Sequence, residues 1–310
     1  MPADSGDRDG TSRAYRLLAT ETPSDGMRRI ALARTASALG RLREAELADD
    51  PAAAIHGARK DLKKLRAVAR LLRRELGGDL YRAENRRYRD AGRRLSPTRD
   101  AEVKLETLED LRGRFAARLA PAVGEWREVL ERERERAVEE ARDGAAIAAA
   151  RSAVELGRER IGAWPLEADS WKLVGPGIDR SYRRGRRAMR AAAEDLDGES
   201  LHEWRKRAKD LWYHLRILRD ACPAGSADSV ELADELADAL GDCHDLAVFR
   251  EDLLGRELPT EPRSALLAAI ATRQAELAST AFELGERLYA EKPKAFRRQM
   301  RAGWEEWRRV

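Results

Sequence analysis

Ile55-His56-Gly57-Ala58-Arg59-Lys60-Asp61-Leu62-Lys63 returns 146 residues later as Leu201-His202-Glu203-Trp204-Arg205-Lys206-Arg207-Ala208-Lys209, with apolar, His, Arg, Lys and Lys at matching places. The register continues through Arg70-Leu71-Leu72-Arg73 and Arg216-Ile217-Leu218-Arg219. Farther on, Leu95, Arg99-Asp100 and Val103 correspond to Leu240, His244-Asp245 and Val248 at an offset of 145, one loop residue fewer. Self-similarity at one long period predicts two copies of a single structural unit.

Each copy carries the period of an amphipathic helix. At about 100° per residue, His56, Arg59, Lys60, Lys63 and Arg70 share one stripe, Arg74 continues it, and Lys64 and Arg66 flank it. Ala58, Leu62, Leu65, Ala69, Leu72 and Leu76 fall opposite, on the face that a bundle buries. In the second copy His202, Arg205, Lys206, Lys209 and Arg216 oppose Trp204, Ala208, Leu211, Leu215 and Leu218 in the same way. Both helices are therefore expected to turn a basic row away from their own core.

The rest of the 310 residues reads as helix as well. Charged residues reach 37% and aromatics only 5%, the composition of long amphipathic helices, so the expected fold class is all-α. Residues 1–25 have no helical period and read as a disordered tail. Helices are expected from Met27 to Leu47, from an Asp50 cap and Pro51 to a stop at Gly77-Gly78, from Leu80 to Leu95, and from a Thr98 cap onward through Arg142 and Arg160. Trp164-Pro165 and Gly175-Pro176-Gly177 mark a linker over 163–177, separating a first repeat at 26–162 from a second at 178–310. The second is expected to hold helices at Ile178–Asp195, Ser200–Ala221, Ser229–Leu240, Asp245–Leu258, Pro262–Ala290 and from Pro293 onward.

Sixty basic against 56 acidic residues leave a formal charge of +4, which by itself names no partner. The distribution does. From His56 to Arg74 there are eight Lys or Arg and the single acid Asp61, whereas Asp228 to Asp245 holds seven acids and no Lys or Arg. A solvated helix face mixes signs for i,i+4 pairing; these rows do not. Further arginines cluster at Arg180, Arg183, Arg184, Arg186, Arg187 and Arg190, and at Arg86, Arg87, Arg89, Arg93, Arg94 and Arg99. Like charges held together cost free energy unless a polyanion neutralises them, and the Arg fork matches phosphate oxygens two at a time. The pattern points to a ligand of many phosphates, with His56 and His202 at the heads of the rows as further donors.

Other classes fit less well. A nucleic-acid binder needs stacking aromatics beside the basic row, and Trp212 with Tyr213 supply them in one copy only. A phosphoryl-transfer enzyme needs a phosphate-binding loop, a magnesium-binding carboxylate cluster or an activated nucleophile; no G-x-x-x-x-G-K-[ST] occurs, and the acids at Glu231, Asp234, Glu235 and Asp238 read as a solvated or helix-pairing face. No metal or cofactor is expected, since neither His56 nor His202 has a His or Cys one turn away. Cys222 and Cys243 have no redox or metal spacing, and neither a membrane span nor a secretory leader is legible, so the expected setting is the cytoplasm.

These motifs resemble those of the conserved histidine α-helical domain family, CHAD, from about Met27 onward. The resemblance rests on His56-x-x-Arg59-x-x-x-Lys63-Lys64-Leu65-Arg66, His202-x-x-Arg205-Lys206-x-x-Lys209-x-Leu211-x-Tyr213, Tyr182-Arg183-Arg184-Gly185-Arg186-Arg187, the turns at Leu95–Asp100 and Leu240–Asp245, and Pro293-x-x-Phe296 followed by Trp304. It departs at Trp212, where the second motif usually has Arg, and at Arg216, where an acid is common. The resemblance implies two pseudo-symmetric bundles of long antiparallel helices around a shared basic groove or pore, which binds inorganic polyphosphate without catalysis, in some members at polyphosphate granules. The residues then expected at the ligand are His56, Arg59, Lys60, Lys63, Lys64, Arg66, Arg70, Arg99, Arg183, Arg184, Arg187, His202, Arg205, Lys206, Lys209, Tyr213 and Arg216, with nucleic acid as a weaker competitor.

Overall fold

A computed structural model describes residues 13–221, 227–256 and 260–309. These residues form eleven α-helices and two short 3-10 turns, with no strand among them. The helices are α1 (Pro23–Leu47), α2 (Ala52–Leu71), α3 (Arg73–Arg94), α4 (Ser96–Arg114), α5 (Ala116–Arg142), α6 (Ala145–Ile161), α7 (Trp171–Glu194), α8 (Gly198–Ile217), α9 (Ala227–Leu254), α10 (Thr260–Leu288) and α11 (Pro293–Trp307). None among the described residues is long and apolar enough to cross a membrane.

Packing follows the two basic helices outward. α1 packs on α2 and α6, and α2 on α3. In the second half α7 and α9 both pack on α8, α10 on α9, and α11 on α7. α2 and α8 meet directly, while α4 reaches α9 and α5 reaches α10, so the halves share one continuous apolar core. Lys104 of α4 reinforces this junction by an ion pair to Asp252 of α9 at 2.7 Å.

Several boundaries differ from the sequence reading, each for a local reason. α1 starts at Pro23, four residues early, because the Thr22 hydroxyl accepts the Asp25 N–H at 3.2 Å and Pro23 occupies the first turn, where no N–H is needed. Pro51 and not Asp50 stands at the N-cap of α2, one residue later than expected, and the Asp50 carboxylate accepts the Ala52 N–H at 3.0 Å from just outside the helix. Gly77 does interrupt the helix as expected: its φ of 72° and ψ of 171° are not helical, so α3 is a short turn over 73–76 followed, after this break, by the long helix that runs to Arg94, and a positive φ is open to glycine at no steric cost. Thr98 lies buried inside α4 and caps nothing; its hydroxyl is directed to the Ala137 carbonyl. Where a break was expected at Leu240-Gly241-Asp242, α9 runs straight through. Gly241 keeps its backbone N–H, whereas Pro97 in the first half lacks one, and only there does the helix divide.

The Gly175-Pro176-Gly177 segment departs furthest from the expected linker, because it lies inside α7. A Cβ on Gly177 would stand 2.2 Å from the Leu71 carbonyl oxygen, so α7 crosses the end of α2 with backbone almost touching backbone. Glycine here serves close approach, which a turn signal mimics in sequence. The expected disordered tail divides in two. Residues 1–12 lie outside the described part, whereas Tyr15 and Leu17 are buried and the Leu17 N–H donates to the Ile217 carbonyl at 3.0 Å.

Candidate polyanion-binding site

The basic stripe of α2 opens on a groove walled by α3 and the start of α4. Its volume is about 400 Å³, and Arg59, Lys63, Arg66, Arg89 and Arg93 line it with a single acid, Asp100. Arg59 gives one guanidinium N–H to the Gly92 carbonyl, and Arg66 gives its Nε–H to Asn85 at 3.2 Å. Neither side chain has a carboxylate partner among the described residues. Burial, tempered by Asp100 and reinforced by Arg99, holds the Arg59 guanidinium below its ordinary value. Burial first and Arg70 next push Arg66 down to about 10.

Lys63 is the centre of the arrangement. Its ammonium is open to solvent, yet protein encloses it at longer range, as on the floor of a concavity. Burial, followed by the charges of Lys209, Arg59, Arg205 and Arg99, pushes it down to about 7 from the usual 10.5. Those neighbours come from α2, α4 and α8, so the two repeated motifs bring Lys63 and Lys209 into one electrostatic field. No carboxylate stands within ion-pairing distance of Lys63 among the described residues.

Around Lys209 the second half repeats the composition of the first. Arg205 neighbours Asp245 and His244 as Arg59 neighbours Asp100 and Arg99. The Nε of Arg205 is buried and makes no hydrogen bond. His202 and His244 approach Nδ1 to Nδ1 at 3.1 Å with rings tilted at 33°, so one Nδ1 donates and the other accepts. Burial, then Arg205 and His202, push His244 down to about 4, and burial with Lys206 and Arg205 lowers His202, which keeps both rings neutral at pH 7. Asp245 is raised by burial against the opposing pull of Arg205 and Lys209.

Elsewhere several surface arginines are compensated within their own helix. Arg114, Arg127, Arg142 and Arg151 each pair with a carboxylate one helical turn away. Lys63 differs from these in that its nearest charged neighbours are cations, and Arg205 in that its Nε is buried without a hydrogen-bond partner.

The structure sorts the expected ligand residues into three groups. Arg59, Lys63, Arg66, Arg205 and Lys209 converge, with His202 beside them. Arg99 joins their field but also forms ion pairs with Glu106 at 2.8 Å and Glu102 at 3.3 Å. Half-buried His56 and Lys60 lie on α2 outside the groove lining, and Lys206 pairs with Glu203 at 2.7 Å. Arg70 pairs with Asp210 at 2.9 Å near Arg184, while Arg183 pairs with Asp179 at 3.2 Å and Arg187 is exposed on α7.

Lys64, Tyr213 and Arg216 lie away from the groove, buried beneath the N-terminal segment. The Tyr15 ring takes the Lys64 ammonium at 5.5 Å and the Arg216 guanidinium at 5.6 Å, and meets Tyr213 edge-on. Conversely, Arg89, Arg93, His244 and Asp245 belong to the site although the basic rows did not include them. His244 and Asp245 were signalled by the register that aligns them with Arg99-Asp100.

The fourth histidine, His214, is buried where α2, α7 and α8 meet. Its Nε2–H donates to the Ala67 carbonyl at 2.9 Å, leaving Nδ1 to accept the Ser181 hydroxyl at 2.7 Å. Burial pushes it down to about 4, so it is a neutral strut. Among the described residues no group of three or more His, Cys, Asp or Glu is arranged to hold a metal ion.

Comparison with known proteins adds the ancestry of this arrangement. The CHAD domain model matches residues 29–254. The crystal structure of the CHAD domain from the plant Ricinus communis superposes with a TM-score of 0.57 at 17% identity, covering 94% of each chain. At that identity the likeness concerns the fold. No curated protein sequence matches significantly.

Proposed function

Since the chain belongs to the CHAD domain family, we propose that it binds inorganic polyphosphate along the α2–α8 tract and does not turn it over. The observation that carries this reading is Lys63, an ammonium that has no carboxylate partner among the described residues and feels the charges of Lys209, Arg59, Arg205 and Arg99. Such a cluster is unfavourable alone and is relieved by a linear ligand with a negative charge on every unit. The groove beside it, about 400 Å³ in volume, has room for several phosphate units. On this reading the protein resides with its ligand, in the cytoplasm and at polyphosphate granules.

Nucleic acid is the weaker reading, because the aromatic platforms it requires are withdrawn: Trp212 and Tyr213 are both buried. The decisive experiment is a titration with polyphosphates of graded length at several salt concentrations, with single-stranded nucleic acid as competitor. Log affinity should fall linearly with log salt, the slope decreasing by about one for each cationic contact removed. Lys63→Ala with Lys209→Ala should weaken binding far more than Lys172→Ala with Lys294→Ala, two exposed lysines elsewhere. Equal losses in the two pairs, or an affinity indifferent to salt, would refute the site.

A further inference from the structure

Beyond the groove, at the far end of α2, lies a second and much smaller concavity between α2, α3, α7 and α8. Arg70, Arg73, Arg180, Arg184 and Arg207 line it, with Asp210 as its only acid. Asp210 is already engaged, with Arg70 at 2.9 Å and with Arg207 at 3.5 Å, and Arg207 also bonds Glu203. Arg73, Arg180 and Arg184 therefore share the space with no carboxylate partner among the described residues. Arg73 rests on the Tyr81 ring at 4.9 Å. Burial, then Arg73, hold Arg180 below its ordinary value, and burial, then Arg207, do the same for Arg184.

The geometry has a backbone cause. Gly177 lets α7 press onto Leu71, and one and two helical turns later α7 delivers Arg180 and Arg184 beside Arg70 and Arg73. The Ser181 hydroxyl at the edge is committed to neutral His214. What remains are guanidinium forks around a space of about 20 Å³, against about 400 Å³ for the groove. That is room for one compact group and not for a run of chain. Arg66 connects the two, since it feels Arg70 and Asp210 on one side and Arg89 on the other.

We infer that this five-arginine pocket is a separate subsite for one terminal, dianionic phosphate group, which receives the end of a phosphate chain lying in the groove. A terminal phosphate carries a charge of about −1.5 to −2 near neutral pH and three oxygens that guanidinium forks can grip, whereas an internal unit of a chain carries one charge and two free oxygens. The same chemistry is offered by pyrophosphate or a free phosphomonoester. Reading the ligand as a chain end rests on the proposed function; the phosphate subsite itself does not.

The test uses the intact protein and three probes: pyrophosphate, long polyphosphate with free ends, and long polyphosphate whose ends are capped as esters. Free ends should bind about tenfold or more tightly than capped ends, the effect of one or two charge-assisted hydrogen bonds. Arg180→Gln with Arg184→Gln should abolish that ratio, and Lys63→Gln with Arg93→Gln should lower both affinities while preserving it. Pyrophosphate should bind the unaltered protein and lose most of its affinity in the Arg180/Arg184 variant. Pyrophosphate binding that depends on these arginines, without any long-chain binding, would refute the polyphosphate reading and leave the phosphate subsite standing. Equal affinity for free and capped chains, together with pyrophosphate binding that is absent or insensitive to Arg180 and Arg184, would overturn the inference.

Discussion

Lys63 makes polyphosphate binding a proton-coupled reaction. In the ligand-free protein its ammonium is held down to about 7, chiefly by burial and then by Lys209 and Arg59. The folded-state value lies below the unfolded one, so between about pH 7 and 10.5 the fold binds fewer protons than the unfolded chain, and this group's contribution to stability rises with pH across that window. A bound polyanion reverses the local balance and returns Lys63 toward its ordinary value. Binding at pH 8 should therefore take up about 0.9 proton, because a group with a pKa near 7 is only about one-tenth charged there. Affinity should fall as pH rises, by about 100-fold between pH 6 and 9 if the whole shift is relieved, and nearer tenfold where water reaching the exposed ammonium screens part of it. Calorimetric titration at pH 8 in two buffers of unlike ionisation enthalpy measures the proton directly. Lys63→Arg keeps the charge but cannot titrate in this range, so its binding should be flat with pH and tighter than the unaltered protein's at pH 9. The same heat in both buffers, or pH dependence that survives in Lys63→Arg, would refute the assignment.

Three further outcomes concern the scaffold. Gly177→Ala places a methyl group against the Leu71 carbonyl; backbone cannot step aside as a side chain can, so the urea midpoint should drop by the equivalent of about 1–3 kcal/mol, and an unchanged midpoint would show that α7 and α2 are not in close contact. His214, held down to about 4 by burial, makes the fold bind fewer protons than the unfolded chain between about pH 4 and 6.5; stability should be full above that window and fall by about 2–3 kcal/mol as pH drops through it. Urea titrations at pH 7 and 4.5 measure this fall, and His214→Asn should flatten it. Tyr15→Ala removes the ring between Lys64, Arg216 and Tyr213 and should cost about 3–5 kcal/mol while leaving the polyphosphate salt slope unchanged; a changed slope would place Lys64 or Arg216 at the ligand.

The features legible in the sequence are those written in helical periods. The stripe of Arg59, Lys63 and Arg66 opposite Leu62 and Leu65 defines which face of α2 is open, and the aligned Arg99-Asp100 and His244-Asp245 pairs point to what stands beside Arg59 and Arg205. Tertiary contacts made by segments without a period were not legible. Lys64 and Arg216 look like members of the basic rows, yet residues 13–17, which lack any pattern, fold back over them and turn two charges into packing around one tyrosine. Gly175-Pro176-Gly177 reads as punctuation because glycine signals both a turn and a close approach, and only the neighbouring carbonyl of Leu71 tells the two apart. That ambiguity bears on function. A helix break at 175–177 would separate Arg180 and Arg184 from Arg70 and Arg73 and leave four solvated charges. An unbroken α7 pressed onto α2 gathers them into one pocket, so the anion-binding capacity of that corner depends on a glycine that carries no charge at all.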